Sequence, residues 1–174
     1  MRRLLNIAQC IIAVSLFVSA CERVDYFKET NSAKNIFAFS VGGNTVHNPS
    51  SKNHLGQPVW AELTEDNTLV IYSALEPLPY LSATIQVQAS ELEVGNPIEN
   101  FTLQLRYEFV DVVDAAYMAT ATVLDKALTI RMLDLEKGVV SGNLEFTYKM
   151  QFLTRDQVYE VEQGNFDISL NQVQ

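Results

Sequence analysis

The chain has 174 residues, 48% of them apolar, and its twelve basic and twenty-one acidic residues leave a net charge of −9 at neutral pH. That is one domain's length, enough to bury roughly 70% of the surface of the unfolded chain. A surface so acidic repels phosphate backbones and anionic headgroups, so nucleic acid is not expected as a partner.

At the start of the chain, Arg2 and Arg3 precede an apolar run broken by Asn6, Gln9 and Ser15, and Val18-Ser19-Ala20 leads into Cys21. A charged beginning, a greasy middle and a small-residue end read as a secretory signal, and the apolar run is shorter than the ~20 residues of a membrane span. A branched apolar residue, a small residue, Ala and Cys in that order resemble the lipobox of bacterial lipoproteins. The resemblance implies removal of residues 1–20, diacylglycerol on the Cys21 sulfur and acylation, as with palmitate, of the new amino group. In lipoproteins of this kind an Asp directly after the Cys favours the inner membrane. Glu22 stands there instead, which implies the outer membrane, with the periplasmic or surface-facing side open. Cys10 leaves with the signal and Cys21 carries lipid, so no thiol remains for a disulfide, a zinc–thiolate site or a nucleophile.

Residues 21–34 mix charge and polarity without periodicity and read as a tether that holds the domain off the bilayer. The domain, residues 35–174, alternates with period two, as an antiparallel sheet with one wet face requires. The pattern is cleanest at Leu81, Ala83, Ile85 and Val87, at Phe101, Leu103 and Leu105, at Leu144, Phe146, Tyr148 and Met150, and at Phe166, Ile168 and Leu170. Weaker strands are expected around three turns. Gly42-Gly43-Asn44 can take positive φ at adjacent positions, Glu65-Asp66-Asn67 joins residues 59–63 to 69–74, and Asp125-Lys126 joins 116–124 to 128–133. Gly142 marks a bulge or bend, residues 154–157 a turn, and Gly164 a break in the last strand. Two connections are long, residues 47–58 and 91–100. About ten short strands predict an all-β single domain, an antiparallel β-sandwich or a barrel-like fold, between which alternation does not choose.

The last third carries a second resemblance. Gly142-Asn143-Leu144-Glu145-Phe146, followed by Gly164-Asn165-Phe166-Asp167-Ile168, is similar to the closing strands of small, uncharacterised all-β lipoproteins of Bacteroides-type bacteria. The opening Ile36-Phe37-Ala38-Phe39, its Gly-Asn turn and Trp60 are similar to their beginning, while Leu144 departs from the aromatic residue of the pattern. The resemblance implies a fold class and a location, and no catalytic residue.

Chemistry-bearing residues are sparse. His47 and His54, the two histidines, share one Pro- and Ser-rich loop, where a metal site would lack rigid support, so no metal or cofactor is expected. No G-x-S-x-G elbow occurs, and carboxylate pairs such as Asp111/Asp114, Asp134/Glu136 and Glu160/Glu162 are commonplace in so acidic a chain. No enzyme activity is expected. Trp60 either stacks on a ligand or anchors the core, and the candidate ligand-binding residues are His47, His54 and Trp60. The expected role is a non-catalytic binding or structural module joined to the membrane through Cys21, with a glycan or protein ligand. A carbohydrate-binding or nutrient-capture accessory lipoprotein and a pilus-like subunit completed by a partner's strand are the alternatives, and the oligomeric state is left open.

Overall fold

The computed structural model describes residues 25–48, 58–76, 81–110, 116–152 and 155–172. They form ten strands: β1 (Ile36–Val41), β2 (Asn44–His47), β3 (Val59–Leu63), β4 (Thr68–Leu75), β5 (Leu81–Gln88), β6 (Pro97–Ile98), β7 (Thr102–Val110), β8 (Ala116–Asp134), β9 (Val139–Phe152) and β10 (Arg155–Gln172). One 3-10 turn, Ala89–Glu91, is the only helical element among the described residues, so the domain is all-β as expected.

The alternation translates directly into burial. Leu81, Ala83, Ile85 and Val87 of β5 are buried while Ser82, Thr84, Gln86 and Gln88 face outward. Each large aliphatic side chain fully buried this way contributes roughly 1.5–3 kcal/mol. Strands β3, β4, β5, β7 and the first part of β8 follow one another as an antiparallel meander. The rest of β8 pairs with β9, β9 with β10, and β10 with β1, whose other edge holds β2. Parallel pairing of Leu170–Gln172 with Ala61–Leu63 then joins β10 to β3. Seven strands therefore pair in a closed ring, with β1, β2 and β6 added outside it. Inward residues of both halves, Ile71 and Ile85 of the meander with Ile130, Phe146 and Phe166 of the long strands, share one core cluster with Phe39 of β1. Phe39 meets Phe146 edge-to-face with ring centroids 5.5 Å apart.

Two expected interruptions are absent. Asp125-Lys126 is no hairpin, because β8 runs through it and pairs Asp125 with Thr147 and Lys126 with Phe146. Neither residue supplies the positive φ that a two-residue hairpin demands. What marks the spot is a bulge between Val123 and Asp125, where β8 leaves β7 for β9. Such bends let one strand serve two sheets. Gly164 likewise lies inside a continuous β10, at a bulge between Val161 and Gly164, and a Cβ there would strike the Leu144 carbonyl. Gly142 sits in a regular β9, and the bulge is on the facing strand, between Ile130 and Met132. A Cβ at Gly142 would strike the Thr129 carbonyl and the Phe166 ring, so the glycine is there for a close approach. The Gly42-Gly43 turn forms as expected, with φ of +54° and +76°.

Candidate functional site

The β3–β4 hairpin sets the geometry of the outer face of the meander. Its turn, residues 64–67, is held by Thr64, whose Oγ1 lies 3.0 Å from the Thr68 carbonyl and also donates to the Asp66 carboxylate, and by Asn67 at φ +58°. The Thr64 hydroxyl bond is the main cause that holds the exposed Asp66 carboxyl below its ordinary pKa. Counting outward from this turn pairs Glu62 with Val70 and Trp60 with Tyr72. Val59 and Ala61 are buried, so Trp60 points away from the core. There its indole stacks on Tyr72 with centroids 5.6 Å apart and planes 21° apart, both rings half-buried.

The row continues from Tyr72 through Thr84 of β5 to Gln104 of β7, and the next row runs Glu62, Val70, Gln86, Thr102. Val70, Gln86 and Thr102 of that second row floor a shallow groove of about 390 Å³, bounded by Asp66, Thr68, Gln88, Asn100 and the buried Phe101. The face thus combines a flat aromatic patch with hydroxyl and carboxamide groups that both donate and accept. A face of this kind can stack on a flat ring and exchange hydrogen bonds with hydroxyl groups. A second groove of about 320 Å³ lies between β8, β9 and β10 and is lined by Asp125, Glu145, Glu160 and Glu162. Its one cation, Lys126, already donates to the Phe101 carbonyl.

The three expected ligand residues do not converge in the described part of the structure. Trp60 lies on the meander face just described. His47 ends β2, where its imidazole stacks on Tyr26 at 4.3 Å and 11°, and its Nδ1 donates to the Asn48 carbonyl at 2.9 Å. His54 lies outside the described residues, as do Cys21 and most of the 47–58 loop. Tyr72, Val70, Gln86 and Thr102 were not singled out from the sequence. The signal that finds them is the register of the Asp66 turn, which sets Tyr72 opposite Trp60. Among the described residues no three His, Cys, Asp or Glu side chains are grouped to hold a metal ion.

A second polar cluster lies on the outer face of the long strands. Arg131 occupies the β8 bulge, a position that re-aims its side chain across β9 and β10. Its guanidinium donates to the Gly142 carbonyl at 3.1 Å, to Asn165 Oδ1 at 2.9 Å, to Asn143 and to the Thr30 carbonyl at 3.3 Å. Burial pulls its pKa down, and the negative charges of Glu29 and Asp167 pull it back up. Asp167 is fully buried and accepts from Thr30 Oγ1 at 2.6 Å, from Ala33 N at 2.8 Å and from Ser32 N at 3.1 Å. Asn165 Nδ2 donates to the Tyr26 carbonyl at 2.8 Å, Ser141 to Asn31, and Ser169 N to Asn35 Oδ1 at 2.9 Å. Residues 26–34 of the expected tether, together with Asn35, therefore form a docked strap. Composition misses this because most of the side chains that hold the strap, Arg131, Ser141, Asn165, Asp167 and Ser169, are more than a hundred residues away.

No protein-family model, curated protein or solved structure matches this chain.

Proposed function

We propose that the protein is an outer-membrane lipoprotein, anchored through Cys21, that acts as a non-catalytic binding module for a neutral glycan. The observation that carries this reading is the half-exposed Trp60–Tyr72 stack beside a groove lined by hydroxyls and carboxamides. Flat rings pack against the apolar face of a sugar, while neighbouring Thr, Asn and Gln side chains meet its hydroxyls. The net charge of −9 disfavours polyanionic ligands. The reading takes the domain as a barrel flattened into two opposed faces, the meander face carrying the ligand. Closure of the seven-strand ring leaves it no gap for a donated strand, which favours binding over a pilus-like role.

Screening the domain from Cys21 to Gln174 on glycan and peptide arrays tests the reading. Binding to glycans that is lost in both Trp60→Ala and Tyr72→Ala supports it. Binding that survives both substitutions, but is lost when the 47–58 loop is shortened with Gly-Ser, moves the site to the loop. Peptide binding without glycan binding overturns the ligand class.

A further inference from the structure

The strap bears on how the domain meets the membrane. Tyr26 is the first residue held on both sides, by its backbone carbonyl through Asn165 and by its ring through His47. From there to Asn35 the chain is pinned by Arg131, Ser141, Asp167 and Ser169. Ala33 takes a left-handed φ of +53°, a conformation strained for a residue with a Cβ. Its N–H reaches the Asp167 carboxylate in that conformation, a hydrogen bond that offsets the strain.

Length decides the consequence. If residues 21–35 were all free, fifteen extended residues would span about 54 Å between Cys21 and Ile36. A globular domain of ~150 residues is roughly 40 Å across, so such a leash would let it turn over freely above the bilayer. With the strap docked, only four residues lie between Cys21 and Tyr26, and the five steps of chain reach at most about 18 Å. That is less than half the width of the domain.

We infer that the docked strap keeps the His47 end of β2, together with the outer face of the long strands that the strap crosses, close to the lipid surface. This inference rests on the reading of Cys21 as the lipid anchor. The contact is positional rather than adhesive: Asp25, Lys28 and Glu29 on the strap are exposed and mixed in charge, and the domain as a whole is acidic. Anchoring acyl chains, through their buried methylenes, supply the hold. The strap supplies the orientation.

The experiment uses the chain from Cys21 to Gln174 coupled through Cys21, its one thiol, to a maleimide lipid in neutral phosphatidylcholine vesicles. Dyes are placed by non-thiol chemistry at Thr45, exposed on β2 beside His47, or at Gln104, exposed on the meander face. Energy transfer to an acceptor in the lipid headgroups then ranks their distances. Transfer is expected to be higher from Thr45 than from Gln104. The difference is expected to be lost when a ten-residue Gly-Ser insert precedes Asp25, a change that leaves every strap contact intact. It is also expected to shrink in Asp167→Ala. Equal transfer from the two sites in the parent chain, or a difference unchanged by the insert, overturns the inference. Because the lipid is attached chemically, these outcomes do not depend on whether cells acylate Cys21, which palmitate labelling reads separately.

Discussion

Thr30 donates its hydroxyl to the Asp167 carboxylate at 2.6 Å, joining two residues 137 positions apart in the sequence. Asp167 lies in β10 on the side opposite the core residues Phe166 and Ile168, where a strand of an antiparallel sheet ordinarily meets water. The strap covers it instead, and its carboxylate answers the strap's own donors. Replacing Asp167 with Ala leaves the Ser32 and Ala33 amides without their acceptor and is expected to cost about 1–3 kcal/mol in chemical denaturation. Amide exchange at both residues should accelerate more than exchange in β5. Unchanged exchange there would show that the strap is held by other contacts.

Gly142→Ala is expected to destabilise by about 1–3 kcal/mol, because the added methyl meets a backbone carbonyl and an aromatic ring packed in the core. Gly43→Ala is the contrasting case. A Cβ there has open space, and its cost is confined to the positive φ of +76°. If both variants lose the same stability with Phe166 undisturbed, the close approach at Gly142 is not what requires the glycine.

Phe146 is 4% exposed and Phe101 5% exposed, so both belong to the core. Truncating either to Ala is expected to cost about 3–5 kcal/mol, with denaturant midpoints the same with and without reductant. Losses below about 1 kcal/mol at both would mean that the opposite face of the strands is the buried one.

Asp134 closes the β8–β9 turn by accepting the Lys137 N–H at 2.8 Å and pairing with its ammonium at 3.0 Å. The backbone bond from Lys137 is the main cause that lowers its pKa from the ordinary 3.8. A carboxyl depressed in the folded state stabilises fully above its unfolded value, and the contribution is lost as pH falls through the folded one. The wild-type chain should therefore lose stability below about pH 4 more steeply than Asp134→Asn. Parallel acid limbs in the two proteins would remove Asp134 from the account.

Cys21→Ser is expected to release the chain from membranes and abolish palmitate labelling, since two or three acyl chains anchor almost irreversibly. Retained labelling in the variant, or none in the wild type, would refute acylation at Cys21.

The sequence by itself determined the class of the fold and the face of most strands. Alternation is a local property: the side chains of Leu81, Ala83 and Ile85 go inward because successive residues of any extended chain point to opposite sides. Turn chemistry is local too, which is why Gly42-Gly43 and Asp66-Asn67 could be placed. Tyr72 was within reach of the same reasoning, since the Asp66 turn sets it against Trp60 once the register is counted. Only the tertiary structure decided where strands run on without turning, and how the ends of the chain are used. At Asp125 and Gly164 the sequence carries the mark of an irregularity, but whether the backbone turns back or bulges depends on which neighbours pair with it. The strap is the sharpest instance. Residues 26–35 are polar and aperiodic, and nothing in them announces a fixed conformation. Their order comes from Arg131 on a bulge of β8 and from Asp167 on the far side of β10. Those partners reach the strap only after the long strands have paired, because hydrogen bonds between distant residues exist only once the chain between them has folded.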